Sequence, residues 1–73
     1  MSRLATANEI RFYEAGVKDA NEARCITVAY RSERVKKLLE ELKQGIGNEL
    51  SSCLASYNSG VAFEINRQTR LEF

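Results

Sequence analysis

Histidine, tryptophan and proline are absent from this 73-residue sequence, and cysteine occurs only at Cys25 and Cys53. Without histidine or a Cys-x-x-Cys pair, four nitrogen or sulfur ligands cannot converge, so we predict no metal site. Small secreted domains depend on dense disulfides, whereas each cysteine here stands alone among apolar neighbours. We therefore predict that both thiols act as small hydrophobic residues in a reducing compartment, with a single Cys25–Cys53 bridge as the alternative.

The chain also lacks an excess of either charge and any long hydrophobic run. Eleven Lys and Arg residues stand against ten Asp and Glu residues, and the formal net charge is +1. Such a balance provides no overall field to attract nucleic acid, an anionic membrane or an acidic substrate. The apolar stretches are far shorter than the roughly 20 residues that span a bilayer, and early charges argue against a signal peptide. We predict a cytoplasmic protein with no membrane partner.

The length is consistent with one small domain covering residues 1–73, without an internal repeat or linker. A domain of this size buries only about 60% of the surface that its unfolded chain exposes. Its core is therefore marginal unless a second copy contributes to it. We predict self-association, most simply as a homodimer.

The strongest periodic pattern predicts an amphipathic helix over about 32–57. Ser32 can cap its first turn, and Glu33 suits the positive end of the helix dipole. Apolar residues then recur at three- and four-residue steps, which places them on one face. These residues are Val35, Leu38, Leu39, Leu42, Ile46, Leu50, Cys53, Leu54 and Tyr57. Gly45 and Gly47 each disfavour a helix, so the element either bends there or stops and restarts.

Two other segments have the composition of strands. Apolar residues alternate through 61–66 and again through 71–73, and 25–30 is rich in residues that favour strands. Two strands alone are barely stable in water, so they need a helix against one face. We therefore predict an α+β fold, in which the long helix packs on a small sheet.

The segment before Cys25 is predicted to be a helix. Thr6 and Glu9 have the spacing of a capping box, and apolar residues follow at helical steps. The alternative is a strand around Ile10 that forms a hairpin with 25–30.

No combination of residues predicts catalysis or cofactor binding. Cys53 lies in the apolar stripe, far in sequence from a cation that would lower its pKa. Glu40 and Glu41 diverge by about 100° on a helix and have lysine partners, so they fit a solvated face. The Gly45–Gly47 segment follows a helix rather than a strand and lacks the remaining residues of a phosphate loop. We predict a non-enzymatic protein without a cofactor.

By elimination, the sequence predicts a small accessory or regulatory protein that binds another protein. The candidate interface residues are Leu50, Leu54, Tyr57, Phe63, Leu71 and Phe73. The alternative is a nucleic-acid-binding module with a local basic patch. Its candidate residues are Arg31, Arg34, Lys37, Arg67 and Arg70. A helix-turn-helix is disfavoured because Lys and Arg are absent between Lys43 and Arg67.

Overall fold

The computed structural model describes residues 6–42 and 49–71, and these form three α-helices. The helices are α1 (Ala7–Ala23), α2 (Glu33–Leu42) and α3 (Leu50–Leu71), with a 3-10 turn at Ala29–Arg31. Within these two ranges there is no β-strand. The predicted α+β class is therefore wrong, and the described part of the chain is all-α.

The predicted strand at 61–66 lies inside α3. Residues two apart on a helix point about 200° apart, whereas residues four apart share a face, so an alternating pattern places its first and third members together and its second on the opposite side. Val61 is buried in the core, Ile65 packs against the core, and Phe63 is exposed on the opposite side. The predicted strand at 71–73 is also wrong at Leu71, which ends α3, while 72–73 lie outside the described residues.

The predicted strand at 25–30 is an irregular connection that contains the 3-10 turn. Arg24 ends α1 in the left-handed conformation, with φ of 56°, and its backbone N–H donates to the Ala20 carbonyl at 2.7 Å. No strand among the described residues pairs with this connection. Ile26 and Val28 are exposed to solvent instead, and Thr27 is half-buried, so local β-propensity misled the prediction.

The predicted N-terminal helix is confirmed as α1, and the hairpin alternative is wrong. Thr6 and Glu9 form the capping box: the Glu9 N–H donates to Thr6 Oγ1 at 3.2 Å, and the Thr6 N–H donates to Glu9 Oε1 at 2.8 Å. Two otherwise unpaired donors of the first turn are thereby satisfied.

The predicted helix at 32–57 corresponds to two helices. Ser32 is confirmed as a cap, since its Oγ accepts from the Val35 N–H at 3.2 Å. Helix α2 ends at Leu42, and the predicted break at 45–47 lies outside the described residues. The predicted end near Tyr57 is wrong, because α3 continues through Gly60 to Leu71.

Helices α1 and α3 run parallel, and α2 runs antiparallel to them. Near the start of α1, Asn8 donates to Glu49 at 3.2 Å, and near its end Asn21 donates to Glu64 at 3.0 Å. In α2, the late residue Glu41 instead reaches the early α1 residue Arg11, at 3.0 Å. The buried apolar residues of the core are Phe12, Ala15, Ala20, Val35, Cys53, Tyr57 and Val61.

Glycine allows the α1 and α3 backbones to meet. A Cβ on Gly16 would lie 2.2 Å from the Tyr57 carbonyl oxygen, and a Cβ on Gly60 would lie 2.2 Å from the Tyr13 carbonyl oxygen. Both distances are too short for any side chain, so only glycine fits at either position. The crossing therefore fixes how α1 and α3 face each other.

None of the helices in the described ranges has the length and apolar character needed to cross a membrane.

Candidate functional site: two exposed apolar surfaces

The first apolar surface lies on the connection between α1 and α2, and we call Ile26, Val28 and Tyr30 the connection surface. Ile26 is 76% exposed and Tyr30 is 74% exposed. The Arg31 guanidinium lies 5.9 Å from the centre of the Tyr30 ring. Solvent exposure of large apolar side chains is unfavourable, so a cluster of them is typical of a binding surface.

A hydrogen-bond network centred on Asp19 holds this connection against the helices. The Asp19 carboxylate accepts from the Ser32 hydroxyl, from the Tyr57 hydroxyl at 2.6 Å and from Arg34 Nη1 at 2.7 Å. Since the Tyr57 proton is directed to Asp19, the Thr27 hydroxyl donates to the Tyr57 oxygen, at 2.9 Å. One carboxylate thus ties α1 to α2, to α3 and to the connection.

The pKa values of the network follow from these contacts. Burial alone would raise the pKa of Asp19. The hydrogen bonds from Ser32, Tyr57 and Arg34 together outweigh this effect, so the pKa of Asp19 lies below its usual value. Burial, and then the bond to Asp19, raises the pKa of the Tyr57 hydroxyl. Asp19 is therefore ionised and Tyr57 protonated at neutral pH. An ionised, fully bonded carboxylate has no proton to donate and is poorly suited to act as a base.

Arg34 completes the network on the solvent side. Its guanidinium makes a two-pronged contact with Glu22, at 3.0 and 2.6 Å, in addition to the bond with Asp19. Hydrogen bonds to Glu22 and Asp19 raise the pKa of Arg34. Beside it, a cleft of about 500 Å³ is lined by residues of α1, the connection, α2 and Tyr57. Its charged lining residues are Asp19, Glu22, Arg31, Glu33 and Arg34.

The second apolar surface lies across α1 and α3, on the side away from α2. We call Ile10, Tyr13 and Phe63 the back face. Phe63 is 54% exposed, Ile10 is exposed and Tyr13 is half-buried. The rings of Tyr13 and Phe63 lie 6.3 Å apart at an angle of 47°, so the apolar surface is continuous across the two helices.

A buried carboxylate, Glu64, joins the carboxyl ends of α1 and α3. It is 2% exposed and accepts from Arg67 at 2.6 and 2.9 Å, from Asn21 at 3.0 Å and from Gln68 at 3.0 Å. Gln68 also donates to the Ala20 carbonyl, at 3.2 Å. These bonds, led by that of Arg67, lower the pKa of Glu64 to about 2. The four side chains therefore form a structural cluster around one ion pair, and this cluster links α1 to α3 near their carboxyl ends.

The structure distributes the predicted protein-interface residues between surface and core. Phe63 and Leu50 are exposed, Leu54 is half-buried against the core, and Tyr57 is 0% exposed. Leu71 ends α3, and Phe73 lies outside the described residues. Tyr57 therefore holds the fold together, and among Leu50, Leu54, Tyr57 and Phe63 it is Phe63 that has the largest exposed fraction.

The predicted basic residues do not form one unopposed patch. Arg34 is paired with Asp19 and Glu22, and Arg67 is paired with Glu64. Arg31 lines the cleft beside Glu22 and Glu33, while Lys37 lines a second groove with Glu14 and Glu41. Arg70 is exposed near the end of α3.

Sequence reasoning missed Ile10, Ile26, Val28 and Tyr30 as exposed residues. The last three belong to 25–30, where a composition rich in strand-forming residues was the signal for a strand, and a strand would have buried one side of it. Asp19 was missed because its partners Ser32, Arg34 and Tyr57 are distant in sequence. Glu64 was missed because its contact with α1 is made through Asn21, which is equally distant, although Arg67 and Gln68 are within about one helical turn.

The two thiols differ in accessibility. Cys25 is exposed after α1, and Cys53 is buried in the first turns of α3; both are free. Burial, and then the charges of Glu49 and Glu9, raise the pKa of the Cys53 thiol. A protonated, buried thiol is a poor nucleophile.

No known protein family, curated protein or solved structure matches this chain.

Proposed function

We propose that this chain is a small non-enzymatic accessory or regulatory protein that acts by binding proteins, including a second copy of itself. The observation that carries the proposal is the exposure of large apolar side chains on both the connection surface and the back face. Burial of such surface is the main favourable term in protein association. The two surfaces lie on different parts of the molecule, so they can serve different partners.

The composition of the core supports this proposal. Among its buried apolar residues, two are alanines and one is cysteine, while the larger ones are Phe12, Val35, Tyr57 and Val61. The exposed large apolar residues are Ile10, Ile26, Val28, Tyr30, Leu50 and Phe63. Among the described residues, more large hydrophobic side chains are exposed than are fully buried. Association would cover them, with about 25 cal/mol gained for each Å² removed from water.

Sedimentation equilibrium of the full chain from about 1 to 200 µM, together with binding of a hydrophobic dye, tests the proposal. We expect association that strengthens with concentration, and dye binding that falls as association rises. Tyr30→Ser and Phe63→Ser should each reduce dye binding, whereas Ala55→Ser, at an exposed position of α3, should not. A chain that remains monomeric and binds no dye over this range would contradict the proposal.

The alternative function in nucleic-acid binding has weaker support. Binding to nucleic-acid phosphates requires cationic side chains that displace the counterions of the nucleic acid. Arg34 and Arg67 already form ion pairs with carboxylates of this chain. The discriminating measurement is anisotropy of a labelled oligonucleotide at 50 and 200 mM salt. A steep loss of affinity with salt would favour the alternative, and no binding at 50 mM is the expected result.

A further inference from the structure

We propose that the back face binds a second copy of this chain in a twofold-symmetric dimer, with the two α3 helices side by side and antiparallel. The inference rests on the proposed function, because it names the partner of one of the two apolar surfaces. Three properties of α1 and α3 support it: the location of the face, the order of charges along it, and its area.

The back face lies on the side of the helix pair that α2 leaves open. On α1, Tyr13 is two residues from both Arg11 and Ala15, which line the groove between α1 and α2. On α3, Phe63 is two residues from both Val61 and Ile65, which pack into the core. Because two residues correspond to about 200° around a helix, Tyr13 and Phe63 point away from α2. No other described element covers them.

Along α3, the residues of this face follow a seven-residue spacing. Glu49 directly precedes α3, and Ser56, Phe63 and Arg70 follow at successive steps of seven. Seven residues make nearly two helical turns, so the four positions form one stripe. Its two ends have opposite charges, and its centre lies between Ser56 and Phe63.

The charges select the antiparallel arrangement. A twofold axis through the centre of the stripe places Glu49 of each copy opposite Arg70 of the other. It also places the small Ser56 opposite the large Phe63, so that each phenyl ring has room to pack. A parallel arrangement would instead place glutamate against glutamate and arginine against arginine, which is repulsive.

The area of the face suits a dimer of moderate affinity. The stripe from Glu49 to Arg70 is about 31 Å long at 1.5 Å per residue, and α1 lies beside it. Two adjacent helices, each about 10 Å wide, give a face of roughly 600 Å² per copy. Stable interfaces bury about 800 Å² per partner, so we expect dissociation in the micromolar range.

The first experiment locates the interface. Sedimentation equilibrium should show that Phe63→Glu weakens dimerisation about 100-fold or more, because it buries a charge at the centre of the interface. Two matched variants, Ala62→Glu on another face of α3 and Tyr30→Glu on the connection surface, should dimerise like the wild type. Circular dichroism checks that each variant remains helical.

The second experiment tests the antiparallel pairing by charge inversion. Glu49→Arg places arginine opposite arginine, and Arg70→Glu places glutamate opposite glutamate. Each variant alone should dimerise about 10-fold more weakly than the wild type, because both symmetric pairs become repulsive. An equimolar mixture should recover dimers, since every contact in the mixed dimer joins opposite charges. Native mass spectrometry distinguishes mixed from self dimers when one variant carries heavy isotopes.

Each negative result contradicts a different part of the proposal. If dimerisation survives Phe63→Glu but is lost in Tyr30→Glu, the back-face dimer is wrong and the proposed protein-binding function stands. Failure of the mixture to restore dimers would likewise overturn the antiparallel pairing. A wild-type chain that stays monomeric to 200 µM contradicts the dimer, and if it also binds no hydrophobic dye, the proposed function fails as well.

Discussion

Gly16 of α1 and Gly60 of α3 occupy equivalent positions at the crossing of the two helices. Each lies against the carbonyl oxygen of the tyrosine that stands three residues before the other glycine. The sequence Tyr-x-x-Gly-Val occurs in both helices, as Tyr13–Val17 and Tyr57–Val61. The crossing is therefore locally symmetric, and close approach of the backbones permits weak Cα–H···O contacts in both directions.

The first prediction concerns this crossing. Gly60→Ala should destabilise the fold by about 2 kcal/mol, because the added Cβ would force the backbones apart and overpack the interface. Helix propensity alone predicts the opposite sign, a gain of about 1 kcal/mol. Urea unfolding followed by circular dichroism measures the difference.

Ser59→Ala is the matched control for Gly60→Ala. It changes the neighbouring exposed residue of α3 and should raise stability by a few tenths of a kcal/mol, about the propensity difference. A stabilised Gly60→Ala variant would show that the helices do not meet at this glycine.

The glycine at the crossing also explains where sequence reasoning failed. Gly60 lies between the predicted helix at 32–57 and the predicted strand at 61–66, and a glycine at such a place fits the end of a helix. The capping box at Thr6 and the cap at Ser32 were predictable because each depends on contacts within one helical turn. The pairing of α1 with α3 depends on residues more than 40 positions apart, and the shared Tyr-x-x-Gly-Val pattern was too short to stand out as a repeat.

The candidate surfaces show the same division. Phe63 was named as an interface residue, but its exposure follows from its place on α3 rather than on a strand. The connection surface was missed, because Asp19 and Tyr57, which bind Ser32 and Thr27 beside it, lie on α1 and α3 and meet the connection only in the folded chain. Local sequence patterns therefore predicted helix starts, whereas the exposed surfaces depend on tertiary contacts.

The second prediction concerns the hydroxyl of Tyr57. Tyr57→Phe removes one bond to the ionised Asp19 and one to Thr27, and should cost about 2 kcal/mol of stability, as expected for a bond to a charged group. Thermal unfolding measures the change. Tyr30→Phe removes the hydroxyl of a 74% exposed ring and should leave stability unchanged. Equal effects of the two variants would contradict the network.

The third prediction concerns the two cysteines. Under native conditions, a thiol reagent should modify the exposed Cys25 rapidly and leave the buried Cys53 unmodified, because burial protects that thiol and raises its pKa. Mass spectrometry of the intact chain counts the modifications. Cys25→Ser should then react only after urea is added. Rapid native labelling of this variant would contradict the burial of Cys53.

The fourth prediction concerns acid unfolding and Glu64. Its pKa is about 2 in the folded chain and 4.5 in an unpaired glutamate, because Arg67, Asn21 and Gln68 bind the ionised form. A lowered folded-state pKa contributes stability above the unfolded value, and this contribution is lost as the pH falls from about 4.5 to about 2. Urea unfolding across this range should therefore show a falling stability in the wild type. Glu64→Gln should have a shallower slope, because its amide cannot titrate.

Glu40→Gln, which replaces an exposed residue of α2, should retain the wild-type slope, and equal slopes in all three chains would refute the role of Glu64.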